Sequence, residues 1–89
     1  MPTPEQIYSY LIANIECTHL EVNGDGQHFF VKIVADEFNG LRSLARQRRV
    51  YRALGGKMDD EIHALSMETF TPQEWSAKQS VSFKNMALS

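Results

Sequence analysis

The chain is poor in the residues that would tie it to a secreted, membrane-bound or self-sufficient metal protein. It holds one cysteine, Cys17, so no internal disulfide can form, and no CxxC or Cys/His set of zinc spacing occurs. A reducing cytoplasm is the expected compartment. No run approaches the ~18 apolar residues of a membrane span. Met1-Pro2-Thr3-Pro4-Glu5-Gln6 carries no basic stretch ahead of an apolar one, so export by a visible signal is not expected either. Internal repeats and low-complexity segments are missing. So are a Ser/His/Asp constellation, a metalloprotease helix and a pocket motif of paired carboxylates, which leaves an enzymatic reading without residues to stand on. An overall basic balance is lacking too: the net charge is −2, which argues against a surface built throughout to meet phosphate.

What is present suits one small packed domain. The 89 residues are 43% hydrophobic and 22% charged, too apolar for a disordered chain. A chain of this size buries only roughly 60–65% of its unfolded surface, so modest stability and a role as a partner-held adaptor are expected. The cations are unevenly placed. Arg42, Arg46, Arg48, Arg49 and Arg52 are five of the nine Lys and Arg residues and lie within eleven positions, which makes a local basic face on an acidic body.

Thr3 reads as an N-cap, with Pro4 at the first helical position and Gln6 three residues after the cap. Ile7, Tyr8, Leu11, Ile12 and Ile15 then recur at spacings of three and four, predicting a helix over 4–16. From Thr18 the period becomes two. Leu20 and Val22 face one way, and His19, Glu21 and Asn23 the other. Asn23-Gly24-Asp25-Gly26 offers positive-φ positions for a tight reversal into a second strand, His28–Ala35. After a connection over 36–40, Ser43 reads as the cap of a second helix from Leu44 to Leu54, with Leu44, Val50, Tyr51 and Leu54 on its inner face and Gly55-Gly56 ending it. A helical turn over 57–61 leads to a third strand, 62–68. Thr71-Pro72-Gln73-Glu74 then caps a last helical turn that Trp75 can anchor. Phe29, Phe30, Tyr51 and Trp75 are expected in the core. Residues 1–77 form the expected domain and 78–89 a loosely ordered tail.

The order helix, hairpin, helix, strand, helix makes the first two strands antiparallel and returns the third parallel to the second after a helical crossover. The expected fold class is α+β: a three-stranded mixed sheet with helices packed on one face.

Several segments, in order, carry a family resemblance: Gly24-Asp25-Gly26-Gln27-His28-Phe29, Phe38-Asn39-Gly40, the basic helix ending in Val50-Tyr51-Arg52-Ala53-Leu54, Ile62-His63-Ala64-Leu65-Ser66, and Thr69-Phe70-Thr71-Pro72-Gln73-Glu74-Trp75. Over about residues 5–76 the chain resembles the BolA family, nearest to its IbaG-like (YrbA-like) branch. The resemblance implies a class II KH-like fold and partnership with monothiol glutaredoxins of the Cys-Gly-Phe-Ser type. In such complexes a [2Fe-2S] cluster is bridged by the glutaredoxin cysteine, a glutathione thiol and histidine from the BolA-like protein. Iron–sulfur trafficking, iron regulation, stress response and transcriptional regulation are the roles it implies.

By position, His63 matches the family's near-invariant histidine and His28 the variable histidine or cysteine after the hairpin loop. These two are the candidate metal ligands. Cys17 precedes the first strand and does not take the cysteine-subgroup role. Gly55-Gly56-Lys57-Met58 lacks the second glycine of a KH clamp, which speaks against RNA binding in that mode. His19, outside any matched motif, reads as an ordinary surface histidine. Two imidazoles do not complete an iron–sulfur site, so the remaining ligands must come from a partner. Arg46, Arg48, Arg49 and Arg52 are the candidate nucleic-acid or partner-binding residues. They could meet DNA phosphates, an acidic protein surface or glutathione carboxylates, or simply form a solvated helix face.

Overall fold

A computed structural model describes residues 3–25, 27–55 and 65–79. Helix α1 spans Pro4–Asn14, strand β1 His19–Gly24, strand β2 Phe29–Val34, helix α2 Ser43–Leu54 and strand β3 Leu65–Phe70, with a 3-10 turn at Asp36–Phe38. A third helix, α3, occupies 72–79. The sheet order is β1-β2-β3. β1 pairs antiparallel with β2, and β3 parallel with β2, which is the mixed topology read from the sequence.

Alternation along the strands creates two unlike faces. The register aligns Val22 with Val31 and Leu20 with Ile33, and on the other side Leu65 with Phe29 and Met67 with Val31. This apolar face packs under Ile7, Leu11 and Ile15 from the α1 segment and Val50, Ala53 and Leu54 from α2, with Phe38 fully buried among them. The opposite face carries a row of charge, Glu21 opposite Lys32 and Lys32 opposite Glu68, from one edge of the sheet to the other. Helices α1 and α2 thus lie on the apolar face. The α3 side chain Trp75 instead reaches the charged face, stacked on His19 at a centroid distance of 4.8 Å and tilted against Phe70 at 5.3 Å.

The helix start at Thr3 holds in both directions. Thr3 Oγ1 accepts from Gln6 N–H at 3.1 Å, and Gln6 Oε1 accepts from Thr3 N–H at 2.9 Å. The buried stripe of α1 is narrower than its apolar spacing suggests, because Tyr8 and Ile12 are exposed, and the helix stops at Asn14 with Ile15 already extended.

Helix α2 departs further from expectation. Ser43 is its first residue rather than its cap; Arg42 stands at the cap position and makes no side-chain cap bond. Leu44 and Tyr51 are exposed, while the inward stripe runs through Arg46, Val50, Ala53 and Leu54. An arginine therefore takes a position where the pattern calls for an apolar residue. Phe30, also expected in the core, is 48% exposed on the charged face.

Gly24 has no positive φ; among the described residues only Gly40 and Gly55 do. Its role is close approach: a Cβ there would lie 2.9 Å from the Phe29 ring and 3.1 Å from Pro4 Cγ. Gly55, at φ 66°, ends α2 as the sequence suggests. Strand β3 extends to Phe70, two residues beyond the expected end, and α3 continues to residue 79. The expected turn over 57–61 and residues 62–64 lie outside the described residues, as does the tail from 80 onward.

Candidate functional site

His28 stands where the β1–β2 turn enters β2. The turn is closed by the Asp25 N–H donating to the His28 carbonyl at 3.1 Å. The Asp25 carboxylate accepts from the backbone N–H of Gln27 at 3.0 Å and of His28 at 2.7 Å. Those two N–H groups stabilise the ionised form and hold the Asp25 carboxyl below the usual range. The same carboxylate pins the backbone of the histidine.

The imidazole is half-buried. Its Nε2 lies 2.8 Å from Ser66 Oγ, and its ring is 4.7 Å from the Phe30 ring, tilted by 51°. Residues 28 and 30 share a parity on their strand, and Ser66 pairs with Phe30 across the parallel ladder. All three side chains therefore rise on the charged face of the sheet.

His63 lies outside the described residues. Cys17 precedes β1 at its His19 end, whereas His28 enters β2 opposite Gly24, so a six-residue strand of roughly 17–20 Å separates them. Cys17 is half-buried against the core, and that burial pushes its thiol up in pKa. Among the described residues no group of three or more His, Cys, Asp or Glu side chains converges as a metal site. The donor set described here is one fixed, partly exposed imidazole.

The basic helix divides into two kinds of arginine. Arg46 has a side chain only 12% exposed. It donates from Nε to the Leu41 carbonyl at 2.9 Å, from Nη1 to the Thr69 carbonyl at 3.4 Å, and to both carboxylate oxygens of Glu74 at 2.7 and 3.1 Å. This two-pronged pair joins α2 to α3, and the guanidinium also lies 5.9 Å from the centroid of the Phe38 ring. Arg49 pairs with Glu37 and donates from Nη2 to the Asn14 carbonyl at 2.8 Å, tying α2 to the end of α1. Arg46 and Arg49 thus hold elements together and are not available as a free docking pair. Arg42, Arg48 and Arg52 are exposed, and no acidic group pairs with them among the described residues.

Glu74 works twice. Its Oε1 also accepts the Thr71 N–H at 2.9 Å, while Thr71 Oγ1 accepts the Glu74 N–H at 3.1 Å, a capping box for α3. With Arg46 as the main cause and Thr71 N–H next, its carboxyl is lowered to about 2.

His19, read from the sequence as an ordinary surface residue, is the centre of a cluster at the far end of the charged face. Its Nε2 donates to Glu21 Oε2 at 2.5 Å, its ring stacks on Trp75, and Lys32 Nζ lies 5.8 Å from the Trp75 centroid. The hydrogen bond from His19, more than the nearby Lys32, lowers the Glu21 carboxyl. The parity of His19 and Glu21 on β1 is visible in the sequence, but the arrival of Trp75 from α3 is not. Between this cluster and His28 lies a cleft lined by Glu21, Asn23, Phe30, Val31, Lys32 and Glu68.

A small α+β domain with a mixed three-stranded sheet, two helices on one face and, on the other, a fixed histidine at the start of the central strand is the class defined by these features. Comparison with known proteins narrows it. A family model described as BolA-like protein matches residues 9–74, and the chain belongs to the BolA family. It is similar to the acid stress protein IbaG of Escherichia coli, with 37% identity over 71 residues covering 79% of this chain and 84% of that protein. It is also similar to a Haemophilus influenzae protein called DNA-binding transcriptional regulator BolA, with 36% identity over 67 residues covering 75% of this chain. The match spans 65% of that regulator's length, under two thirds of it. A solved structure of a BolA homologue from Coxiella burnetii superposes with a TM-score of 0.74 at 36% identity, covering 85% of this chain and 99% of that one.

Proposed function

We propose that this BolA-family chain is a cytoplasmic, non-catalytic adaptor. In this reading it shares a [2Fe-2S] cluster with a monothiol glutaredoxin and glutathione, through His28 and His63, in iron–sulfur trafficking, iron regulation or stress response. The observation that carries the reading is His28: a half-buried imidazole on a pinned turn, with no complete ligand set around it among the described residues. The register adds support. Leu65 pairs with Phe29, the residue after His28, and His63 is two residues before Leu65 in the chain, a separation that can span at most about 7 Å. Cluster ligation by imidazole in place of thiolate raises the reduction potential and makes the site sensitive to protonation.

The test mixes the purified chain with cluster-loaded monothiol glutaredoxin and glutathione, then follows complex size and visible circular dichroism. The parent forms a one-to-one complex with an altered cluster spectrum, and His63→Ala loses it. An unchanged spectrum with no complex overturns the proposal.

A second reading, DNA binding by the basic helix, is favoured by the name of the Haemophilus relative and by the exposed arginines. The engaged state of Arg46 and Arg49 moves that reading onto Arg42, Arg48 and Arg52. Removing one phosphate-binding arginine should reduce the slope of log affinity against log salt by about one. Arg48→Ala and Arg52→Ala should do this at unchanged stability.

A further inference from the structure

His28 has two ring nitrogens, and the fold treats them differently. Nε2 is occupied by Ser66 Oγ at 2.8 Å, while no described group bonds to Nδ1. The backbone of the residue is held by Asp25, and one side of the ring by Phe30, so the imidazole is presented in one orientation. A serine hydroxyl can serve Nε2 in two ways. If Oγ–H donates, the neutral ring must carry its proton on Nδ1, and neither nitrogen offers a free lone pair. If Oγ accepts, the proton sits on Nε2 and Nδ1 presents a bare lone pair at the start of the central strand. Ligating histidines usually donate their other N–H to a polar acceptor, which fixes the tautomer and strengthens the ligand.

We propose that Ser66 is the positioning residue for His28: its hydroxyl accepts the Nε2–H and makes Nδ1 the metal-ligating atom. The inference rests on the adaptor reading above and adds to it a donor atom and the residue that selects it. Ser66 is well placed for this because it enters from β3, the strand that follows His63.

The experiment has two independent arms. In the first, the free chain labelled with 15N is studied at a pH where His28 is neutral, and its ring nitrogens are correlated with the ring protons. The parent shows the Nε2–H tautomer with slowed exchange of that proton. Ser66→Ala shows faster exchange and a mixed tautomer, and Ser66→Thr, which keeps the hydroxyl and suits a strand, restores the parent pattern. An Nδ1–H tautomer in the parent, or an unchanged pattern in Ser66→Ala, overturns the inference whatever the cluster does.

In the second arm, the same three proteins are titrated with cluster-loaded monothiol glutaredoxin and glutathione. Complex formation weakens by about 10–100-fold in Ser66→Ala, with an altered visible dichroism, and recovers in Ser66→Thr. Parent-like binding and spectrum in Ser66→Ala overturn the ligand assignment. If the parent itself forms no cluster complex while the tautomer arm behaves as stated, the adaptor reading falls and Ser66 remains a tautomer-setting partner with no metal role.

Discussion

Replacing Glu74 by glutamine should separate the ion pair with Arg46 from the capping of α3. The glutamine side chain keeps an oxygen for the Thr71 N–H, as the Gln6 side chain does for Thr3, but it carries no charge. Glu74 is 48% exposed, so water screens part of the attraction, whereas Arg46 at 12% is largely withdrawn from water and would be left partly unpaired. Together these place the loss for Glu74→Gln at about 1 kcal/mol near neutral pH. Glu74→Ala, which also removes the cap, should lose about 2–3 kcal/mol. For a domain of this size 1 kcal/mol corresponds to a Tm change of roughly 4–8 °C.

The pH dependence follows from the direction of the shift. The Glu74 carboxyl is lowered from 4.5 to about 2, so the native state holds it ionised where the unfolded chain would protonate it. The stabilisation is complete above the unfolded value and disappears as pH falls from about 4.5 through about 2. Thermal and urea unfolding of parent, Glu74→Gln and Arg46→Met, with the double variant, should give a coupling energy of about 1 kcal/mol at pH 7 that vanishes near pH 2. A Glu74→Gln protein as stable as the parent at pH 7, or a gap that persists unchanged at pH 2, would refute the idea that this pair fastens α3 to α2.

Phe38→Ala empties a fully buried site under both helices and should cost about 3–5 kcal/mol, enough to leave a domain this small largely unfolded at 37 °C by circular dichroism. Gly24→Ala forces a methyl against Phe29 and Pro4. A loss of about 1–3 kcal/mol in urea unfolding is expected, and a neutral result would mean the turn gives way freely. Arg46→Ala and Arg49→Ala should lower Tm, whereas Arg48→Ala and Arg52→Ala should leave it unchanged, measured by differential scanning fluorimetry. The reverse ranking would contradict the division of the basic helix into structural and exposed arginines.

Much of this fold is legible in residue type and spacing. Thr3-Pro4 and Thr71-Pro72, with an acceptor three residues after each cap, mark two helix starts, and the change of period at Thr18 marks the hairpin. Local pattern misleads where tertiary packing overrides it. An arginine facing inward on α2 looks like a register error until Glu74, 28 residues away, supplies its partner. Its inward turn carries Leu44 and Tyr51 out to solvent. Gly24 reads as a turn glycine because the sequence does not reveal that Pro4 will pack beside it. His28 can be singled out by position in the motif, but its partner Ser66 cannot, because the parallel register of β2 and β3 is set by the crossover and not by either strand. His19 passes for an ordinary surface residue for the same reason: Trp75 reaches it only through the path of α3.

The charged row Glu21, Lys32 and Glu68 also bears on how the strands find one another. Side chains alternate with a period of two, so sliding any strand by one residue exchanges its two faces. A slip in β1 would drive Glu21 beneath the helices, a slip in β2 would drive Lys32 there, and a slip in β3 would bury Glu68, each without a partner able to offset the missing hydration. Only the observed pairing leaves all three in water with opposite charges adjacent. The polar face therefore acts as a proofreader of strand alignment, and the alignment it enforces is the one that sets Ser66 beside His28.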